Sequence, residues 1–151
     1  MSKTLLDFEK TIDKVSQLKE IHSSLLMEPV EEGKWSIRDI VAHLYYWDKF
    51  NLEEMVPEMS TGAVLPPFPD HDQHNQQAIL SVTDYSPHFI IDLFINTRKE
   101  LADNLSRLGK DVKFTIGKGK RQFSGESFIK IFVKHDTHHL KQIQKKLKID
   151  N

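Results

Sequence analysis

Between Thr4 and about Leu26 the apolar residues Leu5, Phe8, Ile12, Val15, Leu18, Ile21 and Leu25 return every three or four positions. That spacing paints one apolar stripe along a helix and predicts a first helix over the whole stretch. The segment MEPVEEGKW interrupts the pattern with Pro29 and Gly33, and Ser36 with Asp39 three residues on is a helix start. A second helix is therefore expected from Ser36, with Ile37, Ile40, Val41, His43, Leu44, Trp47 and Phe50 inward, fading near Pro57. Met59 to Pro69 holds three prolines and a glycine and reads as a long surface connection. A short helix is expected from His71 to Val82. Ser86 and Pro87 then offer an N-cap and a first helical position for a third long helix through Phe89, Ile90, Leu93, Phe94, Thr97, Leu101 and Leu105, stopped at Gly109.

From Lys110 to Phe123 the pattern changes: VKFTI and RQF flank GKGK, which predicts a small hairpin or extended loop. The last helix starts at Ser124 or Gly125 and aligns Phe128, Ile129, Phe132, His135, His139, Ile143 and Leu147 on one face. Four amphipathic helices, each with one face to bury, predict an all-α four-helix bundle with a long crossover loop and a small extended segment before the last helix. A chain of 151 residues supports one sizeable core, so residues 1–151 are expected to form a single domain.

Composition narrows the chemistry. Charged residues make up 28% yet sum to −1, so no overall field draws the chain to nucleic acid or an anionic membrane. The basic cluster KQIQKKLK reads as the solvated last turns of a helix. No stretch has the length of a membrane span or a signal peptide, and a cytoplasmic location is the expectation. Because the sequence has no cysteine, any metal must be held by nitrogen and oxygen.

Among eight histidines, His135 and His139 are distinguished by phase. Four residues apart on a helix, they lie about 40° from one another and continue the apolar stripe. His138 points about 100° away from His139, toward rim or solvent. His43 interrupts the inner stripe of the second helix between Ile40 and Leu44, so a third imidazole faces inward from a separate element. Three neutral ring nitrogens from two helices suit an open divalent-metal site, zinc first, with nickel, iron, cobalt and manganese also compatible with imidazole. Lone imidazoles such as His22 and His88 read as rings satisfied by backbone or a hydroxyl. His71, in His71-Asp-Gln-His74, belongs either to an exposed polar helix start or to a loop that reaches over the bundle mouth toward substrate. Asp48 and Asp136 are candidates for carboxylates that orient a histidine, against the plainer reading of helix-surface charges.

The stretches KWSIRDIVAHLYYWD and VKHDTHHLKQI together resemble the DinB-like superfamily of four-helix-bundle proteins. The likeness rests on Trp35, Ser36 and His43, then on His135, His139, Gln142 and Ile143, with Asp72 and Asn75 in DQHN as a further match, and spans essentially the whole chain. It implies a divalent-metal site on His43, His135 and His139, usually in a homodimer; Asp48, His71, Asn75 and His138 are the candidates to orient a ligand or face substrate. Members of this superfamily include transferases and isomerases that use low-molecular-weight thiols. The expected function is thus a metal-dependent thiol S-transferase or hydrolase acting on a small electrophile, with a non-catalytic metal-binding stress protein or a dimerising scaffold as the alternative.

Overall fold

Every long helix begins on a serine oxygen. In the computed structural model, which describes residues 2–148, Ser2 accepts from the Leu5 N–H at 3.1 Å to open α1 (Lys3–Ser16). A single turn, α2 (Ser23–Leu26), follows. Ser36 opens α3 (Ile37–Phe50) through the Asp39 N–H. The crossover contains a short strand, β1 (Ala63–Leu65), and Asp70 then caps α4 (His71–Ser81). Ser86 caps α5 (Pro87–Ser106), with Pro87 where its missing N–H is harmless. After β2 (Phe114–Ile116) comes α6 (Gly125–Leu147), where Ser124 and Ser127 each accept the other's backbone N–H in a closed capping box.

The four long helices α1, α3, α5 and α6 form the expected all-α bundle, with α5 against both α1 and α3, and α1 against α6. No helix among the described residues is long and apolar enough to cross a membrane. The core has two apolar clusters. One gathers Val15, Leu18, Ile37, Val41, Ile90, Phe94 and Ile143; the other gathers Phe8, Trp47, Met55, Leu101, Phe114, Phe128 and Phe132. Each long helix passes from one cluster to the other through a buried polar stretch: Thr11 on α1, His43 to Asp48 on α3, Arg98 on α5, and Asp136 with His139 on α6. A polar layer thus crosses the middle of the bundle.

Three expectations change. The first helix does not run to Leu26: it ends at Ser16, tightens into a turn over Gln17–Glu20, and becomes extended at Ile21 and His22. Here the His22 ring accepts from the Ser24 N–H at 3.1 Å, and the His88 ring, from α5, bonds the Ile21 carbonyl at 3.0 Å, so one local and one distant side chain take up backbone groups where the helix stops. The crossover is not wholly irregular, because β1 pairs with β2 in parallel, Ala63 opposite Phe114 and Leu65 opposite Ile116. Between Lys110 and Phe123 the extended-loop alternative to a hairpin holds, with one antiparallel bridge, Phe114 with Phe123. Gly117, at φ 58°, lets the chain leave β2 beside the crossover, where a Cβ would stand 3.0 Å from Pro67 Cβ. Finally, Phe89 is 47% exposed against Tyr85, and the inner face of α5 is carried by Ile90, Ile91, Phe94, Ile95, Arg98, Leu101 and Leu105.

Candidate metal centre

His43 reaches the site from the middle of α3, and His135 and His139 from successive turns of α6. Their ring centroids stand 4.7 Å (His43 to His135), 4.8 Å (His43 to His139) and 4.7 Å (His135 to His139) apart, close to an equilateral triangle. One ligand atom from each lies within 4.8 Å of the others, and Nε2 of His43 approaches Nε2 of His135 at 2.8 Å. Helical phase explains the pair; the close packing of the Ile40, Val41 and Leu44 turn fixes the third member.

Burial holds these rings neutral. The pKa of His43 is pushed down to about 3, first by burial and then by the neighbouring His135 and His139. Burial, then His139 and Arg98, push His135 down to about 3 as well. His139 is lowered mainly by burial, offset in part by Gln142. One outer nitrogen has a protein partner of its own. Nδ1 of His139 lies 2.8 Å from Oε1 of Gln142, so that ring donates through Nδ1 and keeps a lone pair on Nε2. Nδ1 of His43 and Oδ1 of Asn75 are buried with no formed hydrogen bond among the described residues, although the Asn75 amide is close enough to favour a proton on His43. Three neutral imidazoles, one of them with its outer nitrogen held by Gln142, fit a borderline transition ion, and with no carboxylate in the set they do not fit calcium or magnesium.

The three rings line a cavity of about 510 Å³ whose other walls include Trp35, Trp47, Phe68, Ile131 and Phe132. His71, Asn75 and His138 line it too, and so does Lys134, which sequence reasoning had not picked out. His138 is exposed, on the rim that its phase predicts. Of the His71-Asp-Gln-His74 cluster, His71 lies edge-on to Trp47, while His74 is 8% exposed and packs at a tilt against Tyr46 and Trp47. His74 is a packed ring that holds α4 against α3.

Asp48 and Asp136 are neither surface charges nor bonded to a histidine. They are 1% and 2% exposed and clamp Arg98, itself 1% exposed. Arg98 donates from Nε and Nη2 to Asp48 at 2.7 and 3.0 Å, and from Nη1 and Nη2 to Asp136 at 2.7 and 3.1 Å. It also reaches the Phe8 carbonyl at 3.0 Å, and Thr11 donates to Asp136 at the same distance. Burial favours neutralising Asp48, and the guanidinium that faces both carboxylates removes the reason to look for a histidine partner. Arg98 was missed by pattern reading, though a lone arginine on the Ile91, Phe94, Ile95, Leu101 stripe is the same kind of signal as His43.

The sequence profile of the DinB superfamily matches residues 7–143. No curated protein sequence matches the chain. Among solved structures, YfiT from Bacillus subtilis, described as a probable metal-dependent hydrolase with an unusual four-helix bundle topology, superposes with a TM-score of 0.67 at 21% identity, covering 98% of this chain and 89% of that one. With the profile spanning nearly all of the bundle, the chain belongs to the DinB superfamily.

Proposed function

We propose that this chain is a divalent-metal-dependent enzyme in which His43, His135 and His139 hold the ion and a small electrophile with an apolar body occupies the adjoining cavity. The observation that carries the reading is the convergence of three neutral imidazoles on the wall of an aromatic-lined pocket. Three protein ligands leave positions open, as in catalytic rather than structural zinc sites. A bound ion would supply Lewis acidity and activate a nucleophile, water in a hydrolase or a small thiol in a transferase. The description of YfiT as a probable metal-dependent hydrolase supports the first of these.

The remaining work falls to the chain. Gln142 fixes the tautomer of His139, and Asn75 is placed to do the same for His43. Trp35, Trp47, Phe68 and Phe132 exclude bulk water and shape the apolar part of the pocket. His71 and His138, lining the cavity outside the trio, are placed to receive or return a proton at a ring nitrogen.

Elemental analysis of tag-free protein is expected to find about one transition ion per chain, lost in His43→Ala and in His135→Ala. Aryl esters, and reactive aryl halides with added thiol, separate the two chemistries, and turnover should vanish in the same variants. A His43→Ala protein that keeps its ion and its turnover rules out this site. Full metal loading with no turnover of either substrate class reduces the function to metal binding.

A further inference from the structure

Lys134, His138, Lys141 and Lys145 follow one another on α6 at spacings of four, three and four, which gathers them within about 60° of the helix circumference. This basic stripe runs beside the histidine pair. Its first two members line the main cavity; the last three line a second cavity of about 260 Å³, together with Lys34 and Glu31. His138 belongs to both, so the two cavities adjoin. Glu31 is already taken by Lys145 at 3.1 Å, and Lys34 and Lys141 have no acidic partner among the described residues. On the same helix Lys145 and Lys146 are paired, with Glu31 and Glu28. Among the described residues that line the main cavity, none carries a carboxylate. An apolar pocket thus opens into a positively charged annex with unmatched lysines.

Resting on the enzyme reading for its reacting end, we propose that the substrate is amphipathic, with an apolar part in the aromatic cavity and an anionic group, carboxylate or phosphate, held by Lys34, His138 and Lys141. The aromatic walls select the body; the lysines select its charge and set which end faces the three histidines. A neutral molecule of equal size loses the second interaction and binds in less defined orientation.

Phenylbutyrate, phenyl phosphate and the neutral phenylbutanol are the probes, titrated by NMR into the purified protein, into a Lys34→Gln/Lys141→Gln double variant and into His135→Ala. Both anions should bind the purified protein more tightly than the alcohol, by about fivefold for each lysine engaged, the scale of one exposed charge pair. In the double variant they should fall to the level of the alcohol, whose own binding stays unchanged, and raised ionic strength should have the same effect. A preference for one anion over the other tells carboxylate from phosphate. Equal binding of anion and alcohol, no binding of any probe, or a preference that survives in the double variant overturns the proposal. The His135→Ala arm separates it from the metal reading: the anion preference should persist there. If it disappears, the anions were bound by the ion and the lysine annex is wrong while the metal site stands; if it persists there and the unsubstituted protein takes up no ion, the annex stands and the metal reading falls.

Discussion

Arg98 brings one positive charge to the centre of the bundle and meets two carboxylates there. Burial works against its charge, but Asp136 and Asp48 together hold its pKa above the ordinary arginine value, while burial raises Asp48 to about 6 in spite of the arginine beside it. Removing the guanidinium in Arg98→Ala strands both acids without a counter-charge, and a loss of about 3–5 kcal/mol in urea unfolding is expected, with Asp48→Asn milder because an amide oxygen still accepts a hydrogen bond. Equal losses in the two variants would mean that the carboxylates relax to water. The histidines act in the opposite sense. His43 and His135 sit at about 3 when folded, against an ordinary value of 6.5. Between those limits the unfolded chain binds protons that the folded one refuses, so metal-free protein is most stable above about pH 6.5 and loses stability as the pH falls toward 3. Urea midpoints at about pH 7 and about pH 5 should differ clearly in the metal-free protein and much less in His43→Phe/His135→Phe. A pH dependence that is unchanged in the variant would assign the effect to other groups.

At the scale of elements, what could be read in advance was whatever is encoded locally. The starts of α3, α5 and α6 are written in Ser36, Ser86 and Ser124, because an N-cap needs only the next three residues. The inward phase of His43, His135 and His139 follows from 3.6 residues per turn, and the trio is legible as polar interruptions of apolar stripes. Arg98 obeys the same rule but a lone arginine ordinarily snorkels to water, and nothing local reveals that Asp48 and Asp136 wait on other helices. The end of α1 is just as hidden. Its apolar spacing continues to Leu25, while the break depends on the His88 ring from α5 reaching the Ile21 carbonyl. Parallel pairing of β1 with β2 joins segments on either side of two helices, inside a loop whose prolines argue against strand.

For the molecule as a whole, the bundle is two apolar clusters joined by a polar layer, and the histidine trio is the part of that layer that opens to a cavity. The same α3 and α6 that carry the trio are tied to α5 by Arg98, so rotation of either helix at the site is resisted through these ion pairs. The β1 and β2 pairing closes a loop that encloses all of α4 and α5, and such a contact is slow to form compared with helix turns. It also positions the end of the crossover, where Phe68 packs on Trp47, Phe128 and Phe132. In refolding, helical far-UV signal should therefore recover before Trp47 fluorescence, and Gly117→Val, which crowds Pro67, should slow the second phase alone. Coincident recovery of the two signals would show that the strands pair as early as the helices. The strand pairing thus ties completion of the aromatic wall to a distant loop: the phase that Gly117→Val delays is the one in which the cavity closes on its crossover side.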